Sequence, residues 1–160
     1  MTRVLFVCLG NICRSPLAEG LFKQKVEMAG LSDHYHIDSA GTSDYHIGEL
    51  PDPRTRENAE RNGLSLNSRG RQFSKADFAD FDIILTMDRS NFRNVKSLET
   101  TLIDDIAEVR MMRDFDLRSP GADVPDPYYG GERGFQDVFD MLDQATEELL
   151  RYLEKRRLDT

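Results

Sequence analysis

Cysteine is scarce: the chain of 160 residues has two, Cys8 and Cys13, and nothing after them. Two such close neighbours cannot form a disulfide framework, so stability has to come from a hydrophobic core, and a reducing, cytoplasmic setting is expected. Long apolar runs are missing as well. Met1-Thr2-Arg3 leads into a stretch of strand length only, too short for a signal-peptide core or a bilayer span, so no membrane association is expected. Basic excess is absent, because 21 Lys and Arg against 29 Asp and Glu leave a net charge of −8. That balance argues against a nucleic-acid partner, which calls for a basic stripe. The three histidines, His34, His36 and His46, have no ligand-like spacing with one another or with the cysteines, so neither a metal site nor a cofactor is expected. No linker, internal repeat or low-complexity stretch divides the chain, and a 39% apolar composition suits one domain over residues 1–160.

What is present alternates between strand-like and helical patterns. Arg3–Cys8 reads as a buried strand, followed by a helix over Pro16–Ala29 with Leu17, Leu21 and Met28 on one face and Gly30 as its stop. A short strand is expected near Tyr35–Ser39, then a long Gly-, Pro- and Asp-rich loop through Pro53 and a helix over Arg54–Asn62. Ser74 with Asp77 reads as a capping box, Asp82–Thr86 as a strand, Ser90–Leu98 as a helix and Val109–Met112 as a weaker strand. The last helix, Gly134–Lys155, carries Phe135, Val138, Phe139, Leu142, Leu149 and Leu153 at core-facing spacing. The pattern predicts an α/β fold, a doubly wound domain of flavodoxin-like or Rossmann-like kind, with a four-stranded parallel sheet and helices on both faces.

The segment Cys8-Leu9-Gly10-Asn11-Ile12-Cys13-Arg14-Ser15 lies between the first strand and Pro16. Ser15 before Pro16 reads as an N-cap with proline at the first helical position. Backbone N–H groups, the positive helix end and the Arg14 guanidinium would then converge on one tetrahedral anion, for which a phosphate fits. The same field favours a thiolate at Cys8. Asn11 suits a left-handed turn position. An acidic surface elsewhere does not oppose such a local cradle, since screening acts over about 8–10 Å.

The loop with its flanks, Val4-Leu5-Phe6-Val7 before and Ser15-Pro16-Leu17-Ala18-Glu19 after, resembles the Cys-x5-Arg-Ser signature of the low molecular weight protein tyrosine phosphatases. Asp126-Pro127-Tyr128-Tyr129-Gly130 resembles the general-acid loop of that family, and similarity continues through Asp38–Thr42, Pro51–Arg54 and Thr86–Asp88. The resemblance implies metal-independent hydrolysis of phosphotyrosine through a phosphocysteine at Cys8, with Arg14 holding the phosphoryl oxygens and Asp126 as acid and then base. It also implies that Leu9, Gly10, Asn11, Ile12, Cys13 and Ser15 form the phosphate site, supported by Ser39, and that Tyr45, Tyr128 and Tyr129 wall an aryl slot. Ser39 could equally be structural, and Asp126 taken alone could simply start a turn. Cys13 either forms a reversible disulfide with Cys8 or packs as a small residue.

Tyr45 and Ser68 stand where some members carry tryptophan and histidine, and Ile12 where a related arginine-phosphatase branch places threonine. Isoleucine there favours a phenyl ring. An arsenate reductase would need redox cysteines beyond Cys13, and a binding module with dead chemistry would not need Cys8, Arg14, Ser15 and Asp126 together. The partners implied are phosphotyrosine-containing proteins and a tyrosine kinase whose work is undone, and the protein itself is expected to be a monomer or weak dimer.

Overall fold

The first strand forms where β-branched and aromatic side chains follow one another without a polar break. In the computed structural model, which describes residues 1–99 and 107–159 apart from the Glu132 side chain, β1 spans Thr2–Cys8. Val4, Phe6 and Cys8 point into one core cluster, and Leu5 and Val7 into the other. Burial on both faces explains why the run is continuously apolar rather than alternating. There follow α1 (Arg14–Met28), β2 (Tyr35–Gly41), α2 (Pro53–Arg61), the single turn α3 (Asp77–Asp80), β3 (Ile83–Thr86), α4 (Arg89–Ser97), β4 (Glu108–Met111) and α5 (Gly131–Leu158). Neighbouring strands are all parallel, in the order β2-β1-β3-β4, which is the expected four-stranded doubly wound sheet.

Helices α1 and α5 pack together over the face that carries Phe6 and Leu85, while Phe73, Phe78, Phe81 and Val95 cover the other. The expected stripe of α5, Phe135 to Leu153, is buried throughout. Burying each such side chain contributes about 1.5–3 kcal/mol. Phe6, Phe22 and Tyr35 continue this core as edge-to-face rings with centroids 5.7 Å apart. The direction of strand order reverses beside β1, so the loops after β1 and β3 open on one crevice at the carboxyl edge, the place where such sheets bind ligands. Among the described residues no helix is long and apolar enough to cross a membrane.

Three local expectations are corrected. Helix α1 starts at Arg14, with Cys13 as its N-cap, so Ser15 is not the cap. The Ser15 hydroxyl is engaged instead by Asn11 and Cys8. Met28 is 82% exposed although it shares the face of Leu17 and Leu21, because it is the last residue of α1 and the buried part of the helix ends at Val26. The capping box at Ser74 forms only by half. Ser74 N donates to Asp77 Oδ2 at 2.9 Å, but Ala76 is the N-cap of α3. Gly30 does stop α1, in a left-handed conformation with φ 72°.

Paired carboxylates set the acid stability. Burial alone would raise Asp82, Glu108 and Asp116, but hydrogen bonds from Arg3, from Arg156 and from the Arg118 N–H and Arg113 guanidinium outweigh it and hold all three below the usual range. Below about pH 4 the unfolded chain takes up protons at these groups before the folded one does, so folding stability falls as pH falls. The melting temperature should therefore be flat near neutrality and drop steadily below about pH 4. Asp116→Asn should lower it at pH 7 and make it less sensitive to acid; a variant with an unchanged acid slope would remove Asp116 from this account.

Candidate active site

Cys8 ends β1 and is 2% exposed, so the chain turns into the phosphate-type loop with its sulfur at the carboxyl edge of the sheet. The loop is held by its carbonyls. Those of Cys8, Leu9 and Ile12 accept from the N–H groups of Thr42, Ser43 and Asp52 at 2.8–2.9 Å, and that of Cys13 accepts from Leu17. With the carbonyls drawn outward, the N–H groups of the loop are free to face inward, next to the N-terminus of α1. Gly41 is what lets β2 lie this close. A Cβ there would sit 2.7 Å from the Leu9 carbonyl oxygen and 3.0 Å from the Gly10 carbonyl carbon.

Asn11 takes the left-handed conformation expected of it, with φ 57°. Buried at 3% exposure, it locks the loop with three hydrogen bonds. Its Nδ2 donates to Ser15 Oγ at 2.8 Å and to Ser39 Oγ at 2.9 Å, and its Oδ1 accepts from Arg71 N at 3.0 Å. Ser15 Oγ lies 3.0 Å from Cys8 Sγ. Behind this set, Ser39 donates to the buried Glu19, which Lys23 also meets, both at 2.5 Å. Glu19 as a carboxylate accepts only, so it orients the Ser39 proton away from Asn11; the amide then donates to both serines, leaving the Ser15 hydroxyl proton to be shared between Cys8 Sγ and the Ala40 carbonyl, 3.4 Å away. The sequence reading missed Glu19 because it sits on the helix face that otherwise reads as core.

Arg14 is 5% exposed. Its Nη1 donates to Asp88 Oδ2 at 2.7 Å and to the Val124 carbonyl at 2.9 Å, which leaves the Nε/Nη2 edge for a bidentate fork. Burial alone would weaken the guanidinium as a base, but Cys8, Asp88 and Asp126 beside it reverse the effect and raise it, so it stays charged. Asp88 also caps α4, accepting from Asn91 N at 2.8 Å. It is thus a brace for Arg14 at the crevice between β1 and β3 rather than a free acid.

One cavity of about 180 Å³ is lined by Cys8, Leu9, Gly10, Ile12, Cys13, Arg14, Tyr45, His46, Asp126 and Tyr128. Asn11, Ser15 and Ser39 stand behind it and do not line it. Tyr129, expected as a wall, is 91% exposed and outside the lining, because the 3₁₀ turn Pro127–Tyr129 places successive side chains on different sides. His46 is a wall residue that sequence reading considered only as a metal ligand. It packs over Gly10, where a Cβ would meet its Cδ2 at 3.1 Å, and its Nδ1 is held by Glu49. Its place next to Tyr45 in the long loop was the available signal.

Asp126 is half-buried and both initiates a turn and faces the cavity, since its Oδ1 accepts from Tyr128 N at 3.0 Å while the residue lines the site. Cys13 is buried without a disulfide. Burial pushes its thiol up to about 12, with the Thr55 and Tyr128 hydroxyls pulling weakly the other way. A thiol so protonated at neutral pH is a slow partner for an oxidised Cys8.

Comparison with known proteins agrees with this geometry. A protein of Streptomyces coelicolor described as a low molecular weight protein-tyrosine-phosphatase is 43% identical over 150 residues, covering 92% of this chain and 91% of its own. The crystal structure of a protein tyrosine phosphatase from Entamoeba histolytica superposes with a TM-score of 0.91 at 39% identity, over 98% of this chain and 99% of that one. That of a Drosophila arginine phosphatase does so with a TM-score of 0.87 at 31% identity, over 96% and 98%. The profile of the low molecular weight phosphotyrosine protein phosphatases matches residues 3–158, and the chain belongs to that family.

Proposed function

We propose that residues 1–160 act as one catalytic domain, a protein-tyrosine-phosphatase whose chemistry is divided among Cys8, Arg14 and Asp126. The Cys8 thiolate attacks phosphorus, forming the S–P bond as the P–O bond to tyrosine breaks, and Asp126 gives its proton to the departing phenolic oxygen. Water then attacks the phosphocysteine, losing a proton to Asp126 as the S–P bond breaks and inorganic phosphate leaves. Arg14 and the inward N–H groups of Leu9 to Cys13 stabilise the charge on the three equatorial oxygens, and Ser15 donates to the sulfur as it departs. No step needs a metal.

The observation that carries this reading is the shared cavity. It brings a buried nucleophile, a braced guanidinium and a half-buried carboxyl to one small space. Ile12, Tyr45 and Tyr128 give its mouth apolar and aromatic walls, which suit a phenyl ring better than the polar guanidinium of phosphoarginine. Phosphotyrosine-containing proteins are the substrates, made by a tyrosine kinase, and the setting is the cytoplasm, with a monomer or weak dimer as the working form. The test is hydrolysis of phosphotyrosine, phosphoserine and phosphoarginine peptides with excess chelator. Turnover of phosphotyrosine well above the other two is expected; loss of activity on chelation, or a preference for phosphoarginine, would overturn the reading.

A further inference from the structure

Asp126 caps a 3₁₀ turn of only three residues, two of them exposed tyrosines, which by itself is a poor platform for a proton donor that has to reach a particular oxygen. A continuous set of bonds links that turn to the phosphate loop. Asp52 N donates to the Ile12 carbonyl at 2.8 Å. The Asp52 carboxylate, whose side chain is 9% exposed, accepts from the Tyr128 hydroxyl at Oδ2, 2.5 Å away, and from Arg54 N at Oδ1, 2.8 Å away. Tyr128 N in turn donates to Asp126 Oδ1. The Tyr128 ring is clamped as well, with the Arg54 guanidinium 4.5 Å from its centroid and Phe135 edge-on at 6.3 Å.

We propose that Asp52 and Tyr128 form a latch that positions the general acid: the hydroxyl pins the turn to the phosphate loop, while the amide of the same residue aims the Asp126 carboxyl into the cavity. The inference rests on Asp126 being the acid. Both partners suit the role. Burial and the bond to Asp52 raise the Tyr128 phenol, keeping it a donor, and although burial opposes the charge on Asp52, the Tyr128 and Arg54 bonds outweigh it and hold the carboxyl low, keeping it an acceptor. Tyr128 is therefore a positioning residue through its two polar groups, whatever its ring contributes to the walls.

The test uses Asp52→Ser and Tyr128→Phe. Serine is as good a cap for α2 but its shorter side chain does not reach the Tyr128 hydroxyl, whereas an asparagine amide could still donate to it, and phenylalanine keeps the clamped ring. For each, kcat/KM is measured over aryl phosphates of graded leaving-group quality, with thermal melting as a control. Because a misplaced acid matters only when the leaving oxygen needs a proton, about a tenfold loss is expected on phosphotyrosine and less than about twofold on a dinitrophenyl phosphate. The double variant should lose no more than either single one, as partners in one bond do. Equal losses across the series, or losses that add, would overturn the latch. Asp126→Asn run alongside separates the two readings. If it shows the steep leaving-group dependence and the latch variants do not, only the latch falls; if it does not, the acid assignment falls and the latch with it.

Discussion

Cys8→Ser is expected to reduce turnover by at least about 10⁴-fold while leaving inorganic phosphate bound within a few-fold of its original affinity. The two outcomes separate because nucleophile and cradle are built from different atoms. The cradle consists of backbone N–H groups, the start of α1 and the Arg14 guanidinium braced by Asp88 and Val124, none of which the substitution touches. The nucleophile is one sulfur beside Ser15 Oγ, and a serine hydroxyl at neutral pH is a far weaker nucleophile than a thiolate. Phosphate binding by calorimetry and turnover of an aryl phosphate are the two measurements. Turnover above a few per cent would move the attack to another residue, and loss of phosphate binding would show that the sulfur itself organises the loop.

The second large effect belongs to Asp126. Asparagine in its place can still accept from Tyr128 N, so the turn should persist, but it has no proton to give. Hydrolysis of phosphotyrosine, whose phenol has a pKa near 10, should slow by about 10²–10⁴-fold, and a substrate with a much better leaving group should suffer far less. Asp88 is the carboxyl with which to compare it. Because Asp88 braces Arg14 and caps α4, Asp88→Asn should weaken activity on good and poor leaving groups alike. If Asp126→Asn behaved in that same uniform way, Asp126 would be a turn residue and nothing more.

Local features of this molecule were legible in the chain, and long-range ones were not. The strand, loop and helix from Thr2 to Met28 are contiguous, so apolar run, turn chemistry and helix pattern point the same way, and even the left-handed Asn11 could be anticipated. The last helix was legible because its stripe of six apolar side chains has a single period. Pairings across the sheet carry no such signal. Arg14 meets Asp88 across 74 residues and Tyr128 meets Asp52 across 76, and both meetings depend on strand order and on the path of the long loop. Ser15 misled for a related reason. Its composition fits a helix cap, but the tertiary demand of Cys8 and Asn11 for its hydroxyl prevailed over the local preference.

The order in which the brace of Arg14 is made has a consequence for the newborn chain. The nucleophile and the arginine are synthesised together in one loop, yet the two groups that fix the guanidinium arrive with Asp88 and Val124, the second 110 residues behind it. β1 is moreover an inner strand, flanked by β2 and β3, so its loop gains neighbours on both sides only after the third strand has emerged. On a ribosome that adds about 5–20 residues each second, several seconds separate the appearance of the thiol from the completion of its cradle. Catalytic competence is thus acquired late, and the reactive loop waits on the later segments that brace it.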